Sequence, residues 1–550
     1  MTIDKRATSA PWLLPPIALQ ILHYLDDADD ARAYLQAAPD GSLDDALDAL
    51  RTLLAKNKLL SLWPMPHIAS LDKAYYADPT VVMRALPLFK EITFTSRRAG
   101  WTICEGAHAI VLPPTTAVIA DVNLEVVGSV REALGKWLPN LAALNIGNEL
   151  YQDLAAVVAD NLSACHGLRT LSLHQEEELD RESFVHTLTA IVATCPQVER
   201  ISVGSSSYSP VWDCKALLAW LALPTARHLK LDGTDFQDES GFELAMVMLT
   251  SSTLETITLS DVPSLTRAVV SPFSPPLPQN LRHLTIIDSM LAQEPGKDDT
   301  FNDMYGNGED DDVVDPPLPF NDGDVAALAA KLSTASRLEG FSLTAPTFCD
   351  ATPLVNVLVQ LPTLNRLFLC DVHLTSFPPL RPLLYLHLVS VTFSDKAIEH
   401  LATLLFSTPK LLQLDLSYQY NPLPDGQFRT ILRALPQWLS GRSAVCRVNI
   451  SMAGNACASD MAAALAQTRN SHKVKIMLRT NGVSLDAKKQ LVAAIASTSQ
   501  MALFIDGANR LEEDELKAYG RQLRLQITTR KDHPGWPKQC WFHSPRTLTD

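Results

Sequence analysis

The sequence predicts an α/β solenoid, a curved parallel sheet lined on its outside by helices, with a small all-α domain at the N-terminus. The first observation is a phrase, Leu-x-x-Leu-x-Leu, that returns about every 28 residues from Leu141 to beyond Leu411. Repetition with a fixed period indicates a stack of equivalent units. The second observation is that apolar residues between the phrases follow helical rather than alternating spacing. A strand followed by a helix in each unit is therefore the predicted repeat.

Eleven copies of the phrase define the predicted strands. Their apolar positions are Leu141-Leu144-Ile146, Leu168-Leu171-Leu173, Val198-Ile201-Val203, Ala226-Leu229-Leu231, Leu254-Ile257-Leu259, Leu281-Leu284-Ile286, Leu338-Phe341-Leu343, Leu364-Leu367-Leu369, Leu383-Leu386-Leu388, Leu411-Leu414-Leu416 and Val445-Val448-Ile450. Weaker copies extend the repeat over residues 89–528. Stacking would merge these side chains into one continuous core.

The segments between the phrases predict helices. Phe184, Leu188 and Ile191 follow steps of four and three, which line one helical face. Asp324 and Asp395 stand where such helices would begin. One unit cannot fold alone, because three buried aliphatic side chains contribute roughly 1.5 to 3 kcal/mol each. Ordering each of its residues costs about 1 to 2 kcal/mol, so the units must stack.

Phrase, period and helix together resemble the long class of leucine-rich repeats. The resemblance covers residues 89–528 and implies a parallel sheet on the concave side with helices outside. The predicted domains are a helical domain at 1–60, a helical connection or cap at 61–88, the repeats at 89–528 and a C-terminal tail at 529–550.

Residues 1–60 do not share the repeat and predict three helices. Pro15 suits a first helical turn, Ile21 and Leu25 lie four residues apart on one helical face, and Asp29 or Asp30 can begin the next helix. Leu-Pro followed by an apolar helix ending in Tyr-Leu resembles an F-box. The Glu usually found after Leu-Pro-x is absent here, and one residue is missing relative to the family pattern.

An F-box ahead of leucine-rich repeats is the arrangement of the F-box and leucine-rich-repeat protein family. In that family the F-box docks on a Skp adaptor within a cullin ubiquitin ligase, and the repeats hold the substrate protein. The resemblance implies a non-catalytic substrate-recognition subunit with a Skp-family adaptor and a protein substrate as partners. The implied Skp-docking candidates are Leu14, Pro15, Ile21, Leu22, Tyr24 and Leu25.

Three alternatives remain open from the sequence. The N-terminal helices can serve as a plain cap over the first edge of the repeats, which every solenoid requires. The protein can be a repeat scaffold or receptor without a ligase. It can also be a leucine-rich GTPase activator, although no residue of the sequence points to that activity.

The residues between the repeat leucines face the concave side, because successive side chains of a strand point to opposite faces. We expect a protein partner to bind there, since Arg and aromatic residues are enriched at interface hot spots. The candidate residues on this face are His174, Arg200, His228, Lys230, Asp232, His283, Arg366, Phe368, Tyr385, His387 and Asp415.

Acidic residues are concentrated in one segment. The net charge is −15, and residues 294–324 hold eleven acidic residues and one Lys. This composition predicts a disordered insert over about 291–323. The insert can lie free in solvent or fold over the concave face and mask it. Its acidic spacing does not fit a calcium-binding loop.

Recognisable motifs for catalysis, cofactors and metals are absent from the sequence. It has no phosphate-binding glycine loop, Gly-x-Ser-x-Gly elbow or His-Glu-x-x-His pair, so we expect no enzyme activity, cofactor or metal. The sequence has no stripe of basic residues of the kind that indicates nucleic-acid binding. No apolar run is long enough to cross a membrane. Nine scattered cysteines favour reduced thiols and a cytoplasmic or nuclear protein.

Overall fold

The computed structural model divides the protein into two compact units, Met1–Ser240 and Gly241–Asp550. The described residues are 15–25, 27–39, 41–56, 62–66, 68–95, 112, 114–123, 137–147, 165–175, 181–210, 214–236, 238–288, 320–345, 349–379, 383–407, 410–418, 423–441, 446–470, 472–506, 508–530 and 539–545.

Among its described residues, the first unit begins with five α-helices. They are α1 (Pro15–His23), α2 (Ala28–Gln36), α3 (Asp45–Lys56), α4 (Ile68–Ala77) and α5 (Pro79–Ala85). The side chain of Asp27 caps α2 by accepting from the backbone N–H of Asp29 at 2.6 Å, so the predicted cap at Asp29 or Asp30 was wrong and both residues lie in the first turn. Leu22, Leu35 and Leu50 are fully buried in this helical group. The region is all-α as predicted, but its packing does not identify an F-box.

These helices pack on one another and against the first strand. Helix α3, from the predicted domain 1–60, packs against α5, from the predicted connection 61–88. Trp63 joins the parts: its Nε1 donates to the carbonyl of Leu25 at 2.7 Å, and its ring lies 5.8 Å from His23 and 6.0 Å from Phe89. The helical group thus adjoins the start of the sheet.

The sheet of the first unit has strands that pair in chain order, all parallel. They are β1 (Glu91–Thr95), β2 (Ala117–Asn123), β3 (Leu141–Gly147), β4 (Thr170–Gln175), β5 (Arg200–Pro210) and β6 (His228–Asp235), with helices α6 (Arg181–Thr194) and α7 (Lys215–Leu221) between strands. Leu144, Leu171, Ile201 and Leu229 lie side by side in register and are buried. These leucine ladders form the core, as the repeat predicts.

The second unit continues the same strand-then-helix pattern. Its helices are α8 (Asp238–Thr250), which contains the boundary, α9 (Pro263–Val270), α10 (Asp322–Leu332), α11 (Thr352–Leu358), α12 (Asp395–Ser407), α13 (Asp425–Ser440), α14 (Gly454–Gln467), α15 (Leu485–Ala496) and α16 (Arg510–Gln522). Its strands are β7 (Thr256–Ser260), β8 (His283–Ile287), β9 (Gly340–Thr344), β10 (Arg366–Cys370), β11 (His373–Leu374), β12 (Tyr385–Val389), β13 (Thr392–Phe393), β14 (Gln413–Leu416), β15 (Cys446–Ala453), β16 (Val474–Asn481), β17 (Met501–Asp506), β18 (Gln526–Arg530) and β19 (Gln539–His543).

The main sheet of the second unit is parallel from β7 to β17, and β11 with β13 forms a separate two-stranded sheet. Parallel strands in chain order with helices between them confirm the predicted α/β repeat architecture within each unit. Three strands, β7, β10 and β12, are each followed directly by a residue in the left-handed conformation. These residues are Asp261, Asp371 and Ser390, with φ of 51°, 57° and 52°. Asp261 and Asp371 donate their N–H groups to the last residues of β8 and β12, and Ser390 donates to Ser417, directly after β14, so the same turn occurs in three repeats.

The C-terminal end departs from the parallel pattern. Strand β19 pairs antiparallel with both β17 and β18. Cys540, Trp541 and Phe542 of β19 are buried. Residues 539–543, which we expected in a C-terminal tail, therefore supply a strand between β17 and β18.

The predicted acidic insert is bounded by ordered structure. Helix α10 begins at Asp322, before the predicted insert end near 323, and Asn321 and Asp324 form a capping box at its start. The carboxylate of Asp288 accepts from the N–H of Phe320 at 3.2 Å, so the two flanks are joined. Residues 289–319, which make up most of the predicted insert, lie outside the described residues.

Candidate functional site

The exposed sheet face of the second unit carries two aligned rows of side chains. His283, Gly340, Arg366 and Tyr385 occupy matching positions on β8, β9, β10 and β12. Two residues further along each strand, the second row contains Thr285, Ser342, Phe368 and His387. The strands are in register and about 4.8 Å apart, so members of a row are direct neighbours.

The two rows enclose a pocket, here named the β8–β12 pocket. Its volume is about 350 Å³. Its lining residues are His283, Thr285, Gly340, Phe341, Ser342, Arg366, Leu367, Phe368, Tyr385 and His387. Five of these were candidates from the sequence: His283, Arg366, Phe368, Tyr385 and His387. The structure brings them together although they span more than 100 residues of the sequence.

Gly340 makes room for the pocket. A Cβ built at this position would lie 2.5 Å from Nδ1 of His283 and 3.7 Å from Cβ of Arg366. The imidazole of His283 therefore occupies the space that a side chain on β9 would fill. The repeat pattern did not single out Gly340, yet it holds the same strand position as His283 and Arg366 in the neighbouring repeats.

Arg366 and Tyr385 form a cation–π pair at one end of the pocket. The guanidinium carbon of Arg366 lies 4.9 Å from the centroid of the Tyr385 ring. No carboxylate among the described residues lies within ion-pair distance of Arg366. Arg282, the residue before β8, is instead paired with Glu339 at 3.4 Å.

Phe368 and His387 form the second row's aromatic pair. Their ring centroids are 6.0 Å apart at an interplanar angle of 39°. Nδ1 of His387 lies 3.8 Å from Oδ2 of Asp415, and that oxygen accepts from Nδ2 of Asn449 at 3.0 Å. Asp415 is thus a fixed neighbour of the pocket on β14 rather than one of its lining residues.

Burial favours the uncharged form of both histidines of the pocket. Burial lowers the pKa of His387, and Asp415 opposes that shift. Burial likewise lowers the pKa of His283; Glu339 opposes the shift, while Arg366 and Arg282 strengthen it. Since the ordinary imidazole pKa is about 6.5, a lowered value leaves both rings neutral at pH 7. Arg366 is the cation that lines the pocket.

The remaining face candidates lie on the sheet of the first unit. Arg200 and His228 are in register, and so are His174, Gly204 and Asp232. Nζ of Lys230 pairs with Oδ2 of Asp232 at 3.0 Å. A Cβ at Gly204 would lie 2.6 Å from Nδ1 of His174, which repeats the arrangement seen at Gly340.

The N-terminal candidates have unequal environments. Leu14 lies outside the described residues, and Pro15 begins α1. Leu22 is fully buried, Tyr24 is 87% exposed, and Ile21 and Leu25 are half-buried. The burial of Leu22 gives it a role in the helical core. Ile17, which was not among the candidates from the sequence, is 43% exposed.

Among the described residues, no cluster of three or more His, Cys, Asp or Glu side chains is arranged to hold a metal ion. Cys165 and Cys195 are fully buried, and burial raises the pKa of these thiols to about 12 and about 11. Both are therefore protonated packing groups at neutral pH. In the part of the chain that the structure describes, no helix has the length and apolar character that crossing a bilayer requires.

Comparison with known proteins gives only distant structural likeness. No family model matches the sequence, and no curated protein matches it. The chain is similar to a solved complex of Rad7 and Elc1 in yeast, with 12% identity and a TM-score of 0.32, covering 81% of this chain and 86% of that chain. It is also similar to the leucine-rich repeat-containing protein LegL7 from Legionella pneumophila, with 13% identity and a TM-score of 0.25, covering 70% and 90% respectively.

Proposed function

We propose that this chain is a non-catalytic protein-interaction protein that binds a partner protein at the β8–β12 pocket. The observation that carries the proposal is the convergence of Arg366, Tyr385 and Phe368 on one pocket. Arg and Tyr are enriched where interfaces concentrate their binding energy, in pockets that water leaves on binding. The residues stand on strands, which hold them more firmly than loops would.

A protein partner fits this surface better than a small ligand. The polar rows do not stop at the pocket but continue across β14 and β15 through Gln413, Asp415, Arg447 and Asn449. A macromolecular interface combines a desolvated centre with such a polar rim. The pocket would be the centre, and the continuing rows would be the rim.

The test compares partners of the full-length protein and of a Phe368→Ala/Tyr385→Ala variant. Proteins retained from native extract by the wild type are identified, purified and titrated against both forms. We expect the variant to bind at least about thirtyfold more weakly, because hot-spot truncation costs about 2 kcal/mol or more. The matched control is Phe406→Ala, an exposed aromatic site on helix α12 outside the sheet face. Equal affinity of wild type and double variant for every retained protein would refute the proposal.

A finer part of the proposal concerns the N-terminal helices. Ile17 and Ile21 lie four residues apart on one face of α1, and Tyr24 follows directly after the helix, three residues beyond Ile21. Ile17 and Tyr24 expose much of their apolar surface. This stripe supports docking of a Skp-family adaptor, which would make the protein a substrate-recognition subunit of a Skp-cullin-type ubiquitin ligase.

The adaptor role is tested with the purified full-length protein and purified Skp adaptor. We expect Ile17→Glu/Tyr24→Glu to abolish binding, while Tyr76→Glu, a comparably exposed aromatic site on α4, leaves binding intact. If the folded, monomeric wild type does not bind the adaptor, the stripe has another role. The helices would then act as a cap, and the protein as a scaffold or receptor without a ligase.

A further inference from the structure

We infer that the β8–β12 pocket recognises one carboxylate of its partner together with an apolar side chain two residues away. The inference rests on the proposed protein-binding function and specifies the chemistry of the segment that is bound. The carboxylate would belong to an Asp or Glu side chain. Its site would be Arg366, and the site of the apolar side chain would be Phe368.

Arg366 is a ready site for an anion. Its side chain is exposed, its guanidinium carbon lies 4.9 Å from the centroid of the Tyr385 ring, and no described carboxylate pairs with it. Because the side chain is exposed, a ligand can reach the N–H edge of the guanidinium group. That edge matches a carboxylate with two parallel hydrogen bonds.

The charges around the pocket favour one negative charge rather than two. His283 and His387 are neutral at pH 7, and Arg282 is already paired with Glu255 and Glu339. A phosphorylated side chain carries about −1.5 to −2 at pH 7. A single unpaired cation can balance a carboxylate but not a phosphate group, so the geometry points to an unmodified acidic residue.

The spacing of the rows sets the spacing of the ligand. Arg366 and Phe368 are two residues apart on β10, a separation of about 6.6 Å along the strand. An extended partner segment places its side chains i and i+2 on one side with the same separation. Phe368 is half-buried beside His387, so an aliphatic or aromatic side chain would be desolvated there. The recognised pattern is acidic-x-apolar, in either direction.

The experiment selects random twelve-residue display peptides on the full-length protein and counter-selects them on an Arg366→Gln variant. We expect the retained peptides to be enriched in an acidic residue two positions from Leu, Phe or Trp. The best peptide is then synthesised with capped ends and with Glu, Gln or phosphoserine at the acidic position. Fluorescence polarisation gives the affinity of each form.

We expect the Gln form to bind the wild type at least tenfold more weakly than the Glu form, and Arg366→Gln to reduce this difference to less than twofold. The phosphoserine form should bind no more tightly than the Glu form. Arg433→Gln is the matched control, because Arg433 is an exposed arginine on helix α13 and lies outside both rows of the sheet face. It should bind all forms as the wild type does.

Several results would overturn the inference and separate it from the proposed function. One is a set of selected peptides that all lack an acidic residue and still fail to bind Phe368→Ala/Tyr385→Ala. That result would overturn the inference that the pocket recognises a carboxylate, but it would not affect the proposal that the pocket binds a protein. A tenfold preference for phosphoserine would overturn the single-charge argument. If no peptide is retained while a partner protein still depends on the pocket, the pocket does not bind an extended segment. Loss of that dependence would refute the proposed function itself.

Discussion

Gly340 offers a direct test of how the sheet face produces the β8–β12 pocket. In Gly340→Ala the new Cβ would lie 2.5 Å from Nδ1 of His283, whereas ordinary contacts begin near 3.4 Å. The imidazole must therefore move by about 0.9 Å. Because it is half-buried on an open face, it can move outward without displacing backbone.

The expected effect on stability is small. Forcing a side chain away from its preferred rotamer costs about 0.5 to 1.5 kcal/mol. Replacing Gly by Ala recovers about 0.4 to 1 kcal/mol through the lower entropy of the unfolded state. The two contributions nearly cancel, so the free energy of unfolding should change by less than about 1 kcal/mol. Urea unfolding followed by tryptophan fluorescence measures this change.

Binding should respond more strongly than stability. The added methyl group and the displaced imidazole both occupy the pocket, so we expect the partner identified above to bind about tenfold more weakly, about 1.4 kcal/mol. Gly204→Ala is the matched control, since its Cβ would lie 2.6 Å from Nδ1 of His174 on the first unit. It should change stability similarly and leave binding unchanged. Unaltered binding by Gly340→Ala would refute the argument.

Three further predictions concern stability. Lys331→Met should lower the free energy of unfolding by about 1 to 3 kcal/mol at pH 7, because the buried oxygens of Ser274 lose their hydrogen-bond donor. Burial lowers the pKa of Lys331, so the stability of the wild type should rise relative to that of the variant as pH increases toward 10. A constant difference between urea titrations at pH 7 and pH 9.5 would contradict this. Leu22→Ala should lower the unfolding free energy by about 2 to 5 kcal/mol and Tyr24→Ala by less than about 0.5 kcal/mol, measured by the same titration; equal costs would be inconsistent with their burial. Burial raises the pKa of Asp288, so its contribution to the free energy of unfolding falls as pH rises above the ordinary carboxyl pKa. Asp288→Asn should therefore leave the free energy of unfolding unchanged or raise it at pH 7. A decrease of more than about 1 kcal/mol would count against this argument.

The repeat was predictable because its signal is local. The eleven phrases coincide with strands β3 to β10, β12, β14 and β15, because the last two apolar side chains of each phrase share one strand face and are buried there. The irregular repeats were less predictable from the sequence. The 19-residue spacing between Leu364 and Leu383 contains β11 and, among its described residues, no helix. A short repeat leaves too few residues for both a turn and a helix.

The C-terminal end could not be predicted from the repeat. The weak phrase at Leu523, Leu525 and Ile527 suggested one more parallel strand, but β19 inserts antiparallel between β17 and β18. Five residues carry too little pattern to define a strand. Their pairing depends on which sheet edge is open and on the burial of Trp541 and Phe542 there. Such long-range pairing is absent from local sequence.

The sequence by itself determined the repeating strand and helix, the ladders of buried leucines and the side chains that face outward from each strand. It placed Arg366 and Tyr385 on the exposed face because strand alternation is a local property. Only the tertiary structure decided that these residues meet His283 in a pocket at Gly340, because that depends on the register of strands far apart in the sequence. The unpaired charge of Arg366 likewise emerged only once the positions of the neighbouring described carboxylates were known.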